Sequence, residues 1–161
     1  MKKILLILLL LSLSMAVFGQ IPCVFVEKFT SKARDIDNED IFIVSEMFEE
    51  ALTFERKVKV VDEPENADYI ITGSLTQLGT SITFNIFAND LKSSAVIAAA
   101  KRQYNLSDIW NNSDGIPGQL SDMANEISNG ISDKHNQLQN EKKAEQKKIE
   151  QPNNAHIELS P

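Results

Sequence analysis

The sequence is poor in the residues that carry most protein chemistry. It holds one cysteine, one tryptophan and two histidines in 161 residues. A single cysteine excludes an intramolecular disulfide, so the fold must hold by burial alone. Both histidines, His135 and His156, fall late, after the last stretch of apolar periodicity. A general base needs a fixed position within hydrogen-bond reach of its proton. A polar tail is not expected to give one, so no catalytic histidine is predicted, and Cys23 has no histidine partner within the folded region. The six glycines form no phosphate-cradling loop; Gly73 and Gly79 read as strand-end and turn residues. Aromatics are 7% of the chain, which leaves no evident stacking platform for bases or sugars. Basic residues are outnumbered 23 to 16, with no basic stripe. Binding to nucleic acid or to an anionic lipid surface is therefore not expected.

What is present begins with an export signal. Lys2 and Lys3 give a positive start, Ile4 to Leu11 is an unbroken apolar run, and Val17 and Gly19 stand at the −3 and −1 places of a cleavage before Gln20. A spanning helix wants roughly 20 apolar residues, and this core ends short of that at Gln20 and Pro22. Residues 1–19 are thus predicted to be a signal peptide, and the mature protein periplasmic or otherwise exported. Losing Lys2 and Lys3 takes the net charge from −7 to −9. Cys23 has two readings: a lone buried thiol opening a strand, or the acylated cysteine of an exported lipoprotein. Gln20-Ile21-Pro22 fits badly before a lipidation site, which favours the thiol. A membrane contact is expected only if Cys23 is acylated.

About 142 residues remain after cleavage, enough for one domain, assigned to 20–132. Cys23 to Phe29 reads as a strand. A helix starts near Asp37 or Asn38, with Ile41, Val44, Phe48, Ala51 and Leu52 at helical spacing and Glu46, Glu49 and Glu50 on the solvated face. Val58 to Val61 is a short strand, and Tyr69 to Thr76 is apolar enough to be central. Ile82, Phe84, Ile86 and Ala88 alternate with Thr83, Asn85 and Phe87, the period of a half-exposed antiparallel strand. Ala95 to Tyr104 returns as the next, completing a three-strand meander. Leu120, Met123, Ala124, Ile127 and Ile131 mark a second amphipathic helix. Residues 133–161 read as a charged tail, partly helical through i,i+4 pairs of Glu and Lys or disordered. The predicted class is α/β (α+β): a mixed, mostly antiparallel sheet of about five strands carrying two amphipathic helices, in the order β-α-β-β-β-β-α.

Three stretches resemble one group of bacterial envelope proteins. They are the helix around Ser45-Glu46-Met47-Phe48 with Glu55-Arg56-Lys57-Val58-Lys59-Val60-Val61-Asp62, the strand Ala67-Asp68-Tyr69-Ile70-Ile71-Thr72-Gly73-Ser74-Leu75, and the hairpin Asp90-Leu91-Lys92-Ser93-Ser94-Ala95-Val96-Ile97. The group comprises curli-secretion lipoproteins, lipoprotein activators of penicillin-binding proteins and the N-terminal domain of the Tol-system translocation protein. The resemblance spans roughly Val24 to Ile131. Ser94 stands where a turn glycine is usual, and Glu63-Pro64-Glu65-Asn66 replaces a helix. What the resemblance implies is a fold used for protein–protein contact in the envelope, not a reaction; no cofactor is predicted. The alternatives are a lipid-anchored lipoprotein or a small-ligand-binding or enzymatic domain with a cleft lined by Asp68, Tyr69 and Tyr104.

Other features have structural explanations. Asp35, Asp37, Glu39, Asp40 and Glu46 hint at a calcium loop, but Asp40 occupies the place that needs glycine. Helix capping accounts for these acids, and no metal site is predicted. Asp68 is expected to hold a backbone amide, as turn aspartates do. Tyr104, Ile109 and Trp110 are the candidate partner-binding residues, either anchoring an envelope protein or folding back to cover the end of the sheet.

Overall fold

The computed structural model describes residues 21–105, 107 and 115–150. The predicted leader therefore lies outside the described residues. Six strands and two helices follow in order: β1 Cys23–Val26, β2 Thr30–Lys32, α1 Asn38–Glu55, β3 Lys59–Val60, β4 Tyr69–Leu78, β5 Ser81–Asp90, β6 Val96–Asn105 and α2 Gly115–Glu150. A short 3-10 turn, Pro64–Asn66, stands where the family helix would be. The strands form one mixed sheet ordered β3-β1-β4-β5-β6, with β2 also paired to β4. β1, β2 and β3 run parallel to their neighbours, whereas β4, β5 and β6 make the antiparallel meander. The α/β class and the element order are as the sequence predicts, with one strand more.

The extra strand arises because the predicted Cys23–Phe29 strand breaks in two. Val24 pairs with Tyr69, and the chain regains β4 only where Thr30 meets Ser74. Between them Phe29 turns its ring into the core, against Phe48 at a centroid distance of 5.4 Å. That ring occupies the space where a Cβ of Gly73 would stand. Gly73 is therefore a mid-strand residue of β4, not a strand end, and its missing side chain admits Phe29. Gly79 does serve a turn, at φ +62°.

Asp37 caps α1 by accepting from the amides of Glu39 and Asp40, each at 2.9 Å. Capping by Asp37 satisfies two orphan donors of the first turn. Ile41, Val44, Phe48 and Leu52 from α1 are buried beside Leu120, Met123, Ala124, Ile127 and Ile131 from α2. These meet Val24, Tyr69, Ile71, Leu75, Ile82, Phe84, Ile86 and Ala88 on one face of the sheet. The second helix does not end with its apolar stripe. It continues unbroken to Glu150, and it presents His135, only 9% exposed, to the sheet. His135, expected in a charged tail that is partly helical or disordered, is buried on the helical part.

The other face of the sheet has no helix over it among the described residues. Ser94 takes φ +56° in the β5–β6 turn, so serine adopts there the left-handed backbone usually given to glycine. Asp90 organises that turn by accepting from the amides of Lys92 (3.0 Å) and Ser93 (2.7 Å) and from the Ser93 hydroxyl (2.8 Å).

Candidate functional site

The end of the sheet where β1, β4 and β6 start is the most elaborated part of the molecule. Asp68 joins β1 to it: its Oδ2 accepts from the Cys23 amide at 2.9 Å, and its own amide donates to the Cys23 carbonyl at 2.8 Å. The Leu91 amide donates in turn to the Asp68 carbonyl at 3.1 Å. The aspartate therefore does hold a backbone amide, but one 45 residues away. The Ala-Asp-aromatic motif is read as the joint between three strands.

Tyr69, the next residue, is 2% exposed and aims its ring at α2. Its hydroxyl lies 3.3 Å from His135 Nδ1, and Gln139 Nε2 lies 3.4 Å from His135 Nε2. Burial, reinforced by the charges of Asp68 and Asp90, pushes the phenol above its ordinary value of 10.0. Tyr69 is thus a neutral donor at physiological pH.

A cleft of 720 Å³ opens above this chain of polar groups. Its sheet side carries Asp68, Tyr69, Asp90, Lys92, Ser93, Ala95 and Ile97, and its helix side carries Lys134, His135, Leu138, Gln139 and Lys142. The volume falls within the range of small-ligand sites, roughly 300–1,000 Å³. Sequence reasoning missed this site because it is assembled from a joint, a hairpin and the helix beyond the last apolar stripe. One signal was available: His135 and Leu138 continue the Ile127–Ile131 face at helical spacing.

Of the candidate partner-binding residues, Tyr104 is half-buried on the helix-covered face. Its hydroxyl donates to Gln119 Oε1 at 3.0 Å, and its ring meets Phe84 edge-on at 5.7 Å. Ile109 and Trp110 lie outside the described residues. Cys23 is half-buried at the first position of β1. Among the described residues no group of three His, Cys, Asp or Glu is placed to hold a metal, and no helix is long and apolar enough to cross a membrane.

A second surface is the uncovered face of the sheet. Strand alternation puts Phe25, Ile70, Thr72, Phe87 and Ala99 on it, and the register shift between Ala88 and Asn89 sets Val96 opposite Asn89 on the same face; Phe87 is 38% and Val96 58% exposed. Register places Phe25 beside Ile70, and Thr72 beside Phe87, which in turn faces Ala99. The patch runs to the edge, where β6 ends the strand order with ten residues.

No protein-family model matches the sequence, and no protein of described function does either. Solved structures do match. TolB from Acinetobacter baumannii superposes at TM-score 0.50 with 12% identity, over 70% of this chain and 29% of that one. The LpoB C-terminal domain from Escherichia coli gives 0.43 and 12%, over 60% of this chain and 93% of that one. A PelC dodecamer structure from Paraburkholderia phytofirmans gives 0.46 and 12%, over 73% and 91%. At 12% identity these likenesses are ones of fold.

Proposed function

We propose that this chain is an exported, non-catalytic protein of the cell envelope that works by binding another protein, as an accessory or subunit of an envelope assembly. The observation that carries the reading is the uncovered apolar patch around Phe87, Val96 and Ala99, continuous with the free edge of β6. Among the described residues β6 pairs with β5 alone, and its ten-residue outer edge can take a partner strand. Lys101 and Arg102 sit on that edge, as charges do where indiscriminate pairing must be discouraged. The export signal and the envelope-type motifs support the location. Ile109 and Trp110, outside the described residues, are kept as proposed partner contacts on the sequence alone.

A tether through Cys23 is the second reading of how the protein is held. Cys23 already belongs to the sheet, through its pairing with Lys59 and its bonds to Asp68. Acylation there would leave no linker between lipid and fold, and the soluble exported form is preferred for that reason.

Photo-crosslinking in intact cells tests the interaction. A photoreactive residue at Ala99 is expected to give discrete protein adducts that Phe87→Asp abolishes. The same residue at Leu78, 87% exposed at the far hairpin, is expected to give none. Identical products from both positions, or none from either, would refute the docking surface.

A further inference from the structure

We propose that the cleft between the Tyr69 end of the sheet and the second half of α2 binds a small organic anion through a carboxylate or phosphate group. Three lysines line it, Lys92, Lys134 and Lys142, against two carboxylates, Asp68 and Asp90. Those carboxylates are already engaged: Asp68 holds the Cys23 amide, and Asp90 holds the turn amides of Lys92 and Ser93. The ion pairs among the described residues are Lys57–Glu55 and Arg102–Glu126, and neither involves a cleft lysine. Lys134 reaches only the amide oxygen of Gln137, at 3.4 Å. Lys92 faces Asp90 across the turn, and Lys134 and Lys142 add two positive charges to the same cleft of a chain of net charge −7. Positive charges converging on one cleft raise the local concentration of an anion.

The floor of the cleft supplies a directional donor. A neutral imidazole donates from one nitrogen and accepts at the other. In the tautomer that accepts the Gln139 amide at Nε2, Nδ1–H donates to the Tyr69 oxygen. The phenolic proton is then left to donate to an acceptor above it. Ala95, Ile97 and Leu138 complete the walls, so a ligand with a short carbon skeleton fits better than a bare inorganic ion. The site is separate from the uncovered face used in the proposed function. Lysine variants here and crosslinking at Ala99 fail or succeed independently.

The test uses the mature full-length chain, titrated at constant ionic strength with citrate in one arm and glycerol phosphate in the other. The readout is the His135 ring signal by NMR, assigned against His156→Gln. A saturable shift of the ring is expected in at least one arm, and the arm that saturates identifies carboxylate or phosphate. Replacing both Lys134 and Lys142 by glutamine removes two charge-assisted contacts and is expected to weaken binding about tenfold or more, with an unchanged urea midpoint. A linear drift in both arms, or a double variant that titrates like the wild type, would overturn the proposal.

Discussion

The Tyr69 hydroxyl and His135 Nδ1 stand 3.3 Å apart across 66 residues of sequence, and both residues are buried. This contact fastens the later part of α2 to the first residue of β4, beyond the reach of the Ile127–Ile131 stripe. It is the polar counterpart of the core on that part of α2.

His135→Ala leaves the Tyr69 phenol buried without its partner and opens a void beside it. A loss of about 2–3 kcal/mol in urea unfolding is expected from the unpaired group and the cavity together. Tyr69→Phe keeps the ring and removes one neutral hydrogen bond, for about 1 kcal/mol. The double variant should cost less than the sum of the two, by roughly 0.5 kcal/mol or more, since each single change breaks the same contact. Additive effects would mean that the two groups do not interact.

The same contact predicts where truncation begins to matter. A chain ended after Lys143 retains His135, Leu138, Gln139 and Lys142, and its urea midpoint is expected to match the full chain within about 0.5 kcal/mol. A chain ended after Ser132 keeps the whole apolar stripe yet uncovers Tyr69. It is expected to lose about 2–4 kcal/mol through lost burial and a frayed helix end. Equal stability of the two truncations would show that residues 133–143 contribute nothing to the fold.

The contrast between Ile131 and His135 shows what was legible in the sequence. The buried faces of both helices were readable because apolar side chains at 3.6-residue spacing declare a core-facing stripe; Leu120, Met123, Ala124, Ile127 and Ile131 are each at most 1% exposed. The alternation from Ile82 to Ala88 was equally plain, with the even-numbered residues buried and Thr83, Asn85 and Phe87 turned outward. His135 escaped because its burial depends on a partner, Tyr69, that no local pattern reveals. Gly73 escaped likewise, since its purpose is set by a ring 44 positions earlier in sequence. The lysine cleft combines three segments distant in sequence, so no spacing rule finds it. Local periodicity encodes faces; long-range pairing of single residues it does not.

Gly73→Ala tests one such pairing. A methyl group there collides with the Phe29 ring on the strand's buried side, and a packed core accommodates extra volume only by moving side chains off their rotamers. A loss of about 1–3 kcal/mol is expected in thermal or urea unfolding. Adding Phe29→Leu to Gly73→Ala shrinks the obstructing group and should restore part of that loss. No recovery in the pair would place the strain in the β4 backbone instead.

Alkaline unfolding should report on both buried phenols. Tyr69 is raised above 10.0 chiefly by burial, then by Asp68 and Asp90. Tyr104 is raised too, again chiefly by burial, against the opposing effect of Arg102. A raised value means that the unfolded chain releases its phenolic protons at a lower pH than the folded one. Between the two values the unfolded state binds fewer protons, so stability falls as pH rises. The contribution is fully present below pH 10.0 and is lost as pH climbs through the folded values. Urea midpoints are therefore expected to decline above pH 10.0 in the native chain. Tyr69→Phe starts lower at pH 8 for want of its hydrogen bond, and its decline should be shallower because one of the two linked protons is gone. A variant that declines as steeply as the native chain would mean that Tyr69 ionises in the folded protein as readily as in water.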